Sequence, residues 1–213
     1  LQLLDAMLQL LDAKDLIVVE QLAYSLGAFH TPARDVALAT LAKQYASEPM
    51  IALAIQSSLA QGAGDVFQAL IADDEFRQST AGPAFLASLA GLIGAANQTA
   101  DVATVLAGIN GLPEEAGDLA QNLVAALANA QPEAARAQIT GAGGGKAAAL
   151  VQKMIADAKE QAFAEEAEVP ARVSAIRTLG LASFDDLEES LTGLLDLRQP
   201  QPVQSAALET LAK

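Results

Sequence analysis

Gln21-Leu22-Ala23-Tyr24-Ser25-Leu26-Gly27 decides the fold, because the pair Leu22/Leu26 inside it keeps returning. Its equivalents are Ile55/Leu59, Leu89/Ile93 and Leu123/Leu127, at steps of 33, 34 and 34 residues by subtraction of residue numbers. It appears again as Ala175/Leu179 and once more as Ala207/Leu211, a step of 32. The step from Leu127 to Leu179 is long, at 52 residues. Residues four apart lie on one face of an α-helix, so each pair marks a helix with an apolar stripe. Apolar residues recur at i, i+3, i+4 and i+7 in runs of roughly 12 to 16 residues, and no window alternates with the period of a strand.

Outward from these stripes, breakers divide the chain: Gly27, Pro32, Pro49, Gly62 with Gly64, Pro83, Gly108 with Gly111, Pro113, Pro132, Pro170, Pro200 and Pro202. Many of the prolines stand where a helix would begin, since the first turn has no use for their missing N–H. A second helix precedes most stripes, expected over residues 34–46, 65–76, 100–109 and 184–197. A helical hairpin of about 34 residues cannot cover its own apolar face, so neighbours must stack to make a continuous core. The expected fold is therefore all-α, a right-handed α-α superhelix (an α-solenoid). Tetratricopeptide units have the right period, but the chain has no Trp, and that motif's Tyr, Gly and Phe do not recur from unit to unit. Leu, Ile, Val and Ala dominate the repeating positions, which fits short HEAT- or armadillo-like units. The reading gives one repeat domain over 1–213, with a glycine-rich break at 138–146 and an irregular long helix at 146–168 filling the long step. Four glycines in that break predict a hinge that a protease would cut first near Gly143.

The bulk properties exclude several function classes. Of 213 residues, 52% are hydrophobic, too many for an intrinsically disordered chain. The absence of cysteine rules out disulfides, thiolate metal sites, a cysteine nucleophile and a covalently attached c-type haem. A net charge of −14, with no stripe of bases, opposes phosphate backbones, so nucleic acid is not an expected partner. The longest nearly apolar run, residues 83–96, falls short of the roughly 18 needed to cross a bilayer, so no membrane insertion is expected. There is no Arg/Lys-led signal peptide. The chain opens on Leu1-Gln2-Leu3-Leu4 and closes on Leu211-Ala212-Lys213 with helical spacing still running, so it reads as a fragment of a longer protein whose compartment stays open.

No constellation carries catalysis. The segment 138–146 ends in Gly-Gly-Gly-Lys, but Thr140 replaces the first glycine of a phosphate loop, Ala147 follows Lys146, and no strand precedes it. His30, the sole histidine, follows Phe29 at a helix end and has no acid–base partner nearby. Asp73-Asp74-Glu75 lacks the spacing of a calcium loop and reads as a solvated helix end, as do Glu165-Glu166 and the acids at 185, 186, 188 and 189. Ser57, Ser58 and Ser88 have no His-plus-acid arrangement. No catalytic, cofactor or metal residue is expected. Arg172 and Arg177 share one helix and have two readings: bonds to turn groups such as Asp185 or Asp186, or anchors for an acidic or carbonyl-bearing partner.

The stretch Ala171-Arg172-Val173-Ser174-Ala175-Ile176-Arg177-Thr178-Leu179-Gly180, followed by Leu194-Leu195-Asp196-Leu197-Arg198-Gln199-Pro200-Gln201-Pro202-Val203-Gln204, resembles the HEAT-repeat region of large planctomycete-type haem-binding proteins. Proteins of that family join a sugar-dehydrogenase-like β-propeller, HEAT repeats and a C-terminal c-type cytochrome module. The likeness covers about 45 residues well and the remainder through general repeat character. It implies an exported or periplasmic parent. No Cys-x-x-Cys-His is present, so neither haem nor propeller chemistry transfers to this chain. The expected function is a non-enzymatic scaffold, or a docking module for a protein partner or for flanking domains of the parent. The alternative is a cofactor- or substrate-binding accessory domain of a larger oxidoreductase, which a pocket lined by Arg172, Arg177 and aromatics would favour.

Overall fold

A computed structural model describes residues 2–132, 135, 139, 145–182 and 184–212, with the side chains of 184–186, 189 and 190 not described. Among the described residues the fold is all-α, with no strand. The chain divides into two compact units, Leu1–Gln131 and Pro132–Lys213. The sequence reading gave one domain over 1–213. The division falls inside the 52-residue step, where successive stripes are too far apart in sequence to be neighbouring hairpins.

The first unit holds α1 (Gln2–Leu8), α2 (Leu16–Leu26), α3 (Pro32–Tyr45), α4 (Pro49–Ser57), α5 (Ala63–Ile71), α6 (Asp74–Gln78), α7 (Gly82–Ala96), α8 (Thr99–Gly111) and α9 (Gly117–Ala130). Their limits follow from local chemistry. Asp15 starts α2 by accepting from the Ile17 N–H at 2.9 Å, and Thr31 caps α3, whose first residue is Pro32. Pro49 and Pro83 stand in the first turns of α4 and α7. Asn97 ends α7 in the left-handed region, φ 49°, a conformation that asparagine tolerates better than most residues. The expected helix over 65–76 is broken, because the Asp73 side chain accepts from Phe76 N–H at 2.9 Å and starts α6 afresh.

These helices form two rows. Helices α2, α4, α7 and α9 pack in succession along one row, and α3, α5 and α8 along the other. The core lies between them. All four repeating pairs point into it: Leu22, Leu26, Ile55, Leu59, Leu89, Ile93, Leu123 and Leu127 are each buried. Each such side chain contributes about 1.5–3 kcal/mol of transfer free energy. Helices α7 and α9 approach closely at Gly94, where an added Cβ would lie 2.5 Å from the Leu127 carbonyl oxygen.

The second unit holds α10 (Gly145–Phe163), α11 (Val169–Leu179), α12 (Phe184–Gly193) and α13 (Gln201–Leu211). Its core gathers Ala162, Ala175, Ile176, Leu179, Leu191 and Val203 from all four. The expected long helix over 146–168 ends five residues early, at Phe163. The expected helix over 184–197 stops at Gly193, beyond which Leu194 turns into the core and Leu197 stands 94% exposed. Most of the glycine-rich break at 138–146, and the cleavage expected near Gly143, lie outside the described residues.

Candidate functional site

The structure does not bring Arg172 and Arg177 to one surface. Both belong to α11, but positions five apart on a 3.6-residue helix differ by about 140° in direction. Arg172 is 3% exposed; its Nε donates to the Ala162 carbonyl at 3.0 Å and its Nη2 to Gln199 Oε1 at 2.7 Å. It ties the end of α10 to the turn before α13, with Nε and Nη2 both bonded inside the unit. The acceptors are the Ala162 carbonyl in the last turn of α10 and the Gln199 side chain, where the sequence reading named turn groups such as Asp185 or Asp186. The side chains of Asp185 and Asp186 lie outside the described residues. Arg177 is exposed and stands 3.5 Å from Glu209 on α13, with both side chains 61% exposed. Such a pair contributes between zero and about 1 kcal/mol.

A third arginine, which the sequence reading passed over, has the same role as Arg172. Arg34 on α3 is 1% exposed. Its Nη1 pairs with Asp35 and donates to the Gln61 carbonyl at 2.9 Å; its Nη2 donates to the Ser58 carbonyl at 3.0 Å. Those carbonyls lie just past the last turn of α4, where the backbone lacks helical donors and a guanidinium is well suited to supply them. Arg34 and Arg172 both follow Pro-Ala, at Pro32-Ala33-Arg34 and Pro170-Ala171-Arg172. That tripeptide, occurring twice, is the signal that would have found the first of them.

The side chains weighed for chemistry are held in structural bonds. Ser58 Oγ donates to the Ala23 carbonyl at 2.9 Å, Ser57 Oγ to Ala54, and Ser88 Oγ to Gln56 Oε1. Asp73 caps α6 and pairs with Lys43 at 2.6 Å, and the Lys43 ammonium together with the Phe76 N–H holds its carboxyl below the usual 3.8. Asp74 pairs with Arg77. His30 is exposed between α2 and α3. Burial beside Gly64 raises the Asp101 carboxyl above 3.8, and the charge of Asp65 adds to the effect. Among the described residues no group of three or more His, Asp or Glu side chains is placed to hold a metal ion. No helix there is long and apolar enough to cross a membrane.

Two of the first unit's clefts are lined by described residues. One of about 360 Å³ is lined by Leu8, Leu11, Pro32, Ala33, Val36 and Ala37. The other, of about 510 Å³ between α5 and α8, is bordered by Arg77, whose guanidinium is already bonded to Asp74 and the Ile71 carbonyl. The solvent side of the row α2–α4–α7–α9 differs from both. Ile17 is 78% exposed and Leu53 54%, with Leu16, Tyr24 and Met50 exposed on the same two helices. By the register of the repeating pairs, the positions on α7 and α9 that correspond to Leu53 are Ala87 and Gln121, neither of them a large apolar side chain. No lysine or arginine occurs in any of these four helices.

Compared with models of known protein families, with curated proteins and with solved structures, the chain matches none.

Proposed function

We propose that the chain is a non-enzymatic docking module, a right-handed α-α superhelix of short HEAT-like units whose row α2–α4–α7–α9 receives a protein partner or a flanking domain. The observation that carries this reading is the spacing of its polar bonds. Ser58 reaches Ala23 across 35 residues, Gln131 reaches Asn97 across 34, Thr210 reaches Ile176 across 34, and Ser88 reaches Gln56 across 32. Each bond joins one unit to the next at nearly one period, as a stack of like hairpins requires. The residue after each repeating pair is Gly27, Ala60, Gly94, Ala128, Gly180 and Ala212, small in every unit. Added Cβ atoms at Gly27, Gly94 and Gly180 would meet Ser58, Leu127 and Thr210, one unit onward in each case.

The non-enzymatic part is supported by where the reactive side chains go: serine hydroxyls to carbonyls, carboxylates to caps and ion pairs. The likeness around Arg172 and Gln199 leads us to infer, further, that the parent is a propeller–HEAT–cytochrome protein in which this segment is a spacer. Photo-crosslinking in the source cells tests the docking role, with the crosslinker placed at Ser57 on the row or at Thr40 on α3. A discrete adduct to a partner or flanking domain from Ser57, absent from Thr40, supports it. Equal adducts from both positions, or none from Ser57, would overturn it.

A further inference from the structure

We infer that the occupant of the α2–α4 end of this row is a cationic amphipathic helix, a deduction that rests on the docking reading above. Two independent features select that chemistry. The first is apolar surface without cover: Leu16, Ile17, Met50 and Leu53 are all at least 45% exposed on two adjacent helices. A row of helices offers a shallow seam into which another helix can lay anchors at i, i+3 or i+4, and i+7.

The second is charge. Residues 1–131 carry 14 of the 26 acids and four of the 12 bases. Arg34 is buried in its own bonds, and Lys43 and Arg77 are paired with Asp73 and Asp74. The row's helices carry no cation; the fourth base, Lys14, is exposed just before α2, but Asp12, Asp15 and Glu20 flank it and Ile17, and Glu48 precedes Met50 by two residues, so acids prevail around the seam. A second copy of this chain would set acid against acid across the same seam, which disfavours self-pairing. A nucleic acid or an anionic membrane is repelled for the same reason. A helix with Leu on one face and Lys beside it satisfies both features, because lysine stems cover apolar surface while their ammonium heads reach the bordering carboxylates.

The test uses the purified 213-residue chain and a fluorescein-labelled 18-residue Leu/Lys amphipathic peptide, read by anisotropy. Four controls accompany it: the same residues scrambled, a Leu/Glu version, the chain carrying V36S, and the chain carrying I17S and L53S together. Both substitutions are at exposed positions, and an unchanged thermal melt confirms that the fold is intact. Saturable 1:1 binding is expected, weakened about tenfold or more by I17S/L53S and by scrambling, as loss of central apolar anchors should do. V36S on the other row is expected to leave it unchanged. Equal binding of the scrambled peptide, insensitivity to I17S/L53S, or comparable binding of the Leu/Glu peptide would overturn the inference. So would concentration-dependent dimerisation in sedimentation that I17S/L53S abolishes, since a second copy would then be the occupant. An adduct from Ser57 in cells alongside a negative peptide result leaves docking standing and removes only this partner chemistry.

Discussion

Two glycines three residues apart on α7 are expected to respond to alanine in opposite directions. Both lose backbone freedom on folding, so Gly→Ala in a helix gains up to about 1 kcal/mol where space allows. At Gly91 a new Cβ has as its nearest neighbour the Ala126 carbonyl oxygen at 3.7 Å, ordinary van der Waals distance. Gly91→Ala should therefore stabilise the chain by about 0.5–1 kcal/mol. At Gly94 the same methyl would lie 2.5 Å from the Leu127 carbonyl oxygen and 3.1 Å from the Ala130 Cβ. The first of those atoms is backbone and cannot rotate aside, so α7 and α9 must separate by several tenths of an ångström along their shared seam. Overpacking of that kind costs about 1–3 kcal/mol, which exceeds the propensity gain and makes Gly94→Ala destabilising by up to about 2 kcal/mol. Urea unfolding followed by far-ultraviolet circular dichroism measures both variants on one scale. Equal stabilisation by the two substitutions would refute the close approach of α7 and α9, and with it the reason for a small residue after each repeating pair.

Arg34→Met keeps much of the side-chain volume but leaves the Ser58 and Gln61 carbonyls without donors, so unfolding free energy should fall by about 3–5 kcal/mol, the range for breaking a buried charged pair. Arg34→Lys should restore less than half of that loss, because a point charge cannot bridge both carbonyls as the guanidinium fork does. In the second unit, Arg172→Met should cost about 3 kcal/mol through its two charge-assisted bonds. Arg177→Ala should stay within about 0.5 kcal/mol, since its exposed pair with Glu209 is screened by solvent. Differential scanning calorimetry separates the two, and an equal fall in Tm would contradict the assignment. Asp101→Asn should stabilise the chain near neutral pH: a carboxyl raised by burial destabilises the folded state when ionised. The wild type should regain that stability as pH falls from the raised value toward 3.8, and the variant should lack that step in a pH series of urea midpoints.

The helix pattern was legible because burial imposes a period. Leu22, Ile55, Leu89 and Leu123 had to be apolar for one geometric reason, and the prolines at 32, 49, 83 and 170 marked starts by another. What escaped the pattern depends on contacts that spacing does not encode. Asp73 interrupts a helix that the apolar rhythm carries through, because its carboxylate caps the next turn in competition with propagation. Arg34 was passed over because a charge in a sequence suggests solvent, and the carbonyls that draw it inside come 24 and 27 residues later. Arg172 and Arg177 looked alike as members of one helix, and only the packing of α10 and α13 around α11 sorts them into a buried tie and an exposed charge. The apolar exposure of Ile17 and Leu53 was equally hidden, since a hydrophobic residue beside a stripe reads as part of it.

The unit-to-unit hydrogen bonds have a mechanical consequence. Ser58–Ala23, Ser88–Gln56 and Gln131–Asn97 each close a loop of about one unit, so tension on the ends of the first unit loads these ties in series rather than all at once. Releasing one hairpin of about 34 residues at roughly 3.4 Å per residue adds some 115 Å of contour length. On the proposed stacking of like hairpins, the first unit is expected to extend under force one hairpin at a time, in steps of about that size, which would make it a graded spring.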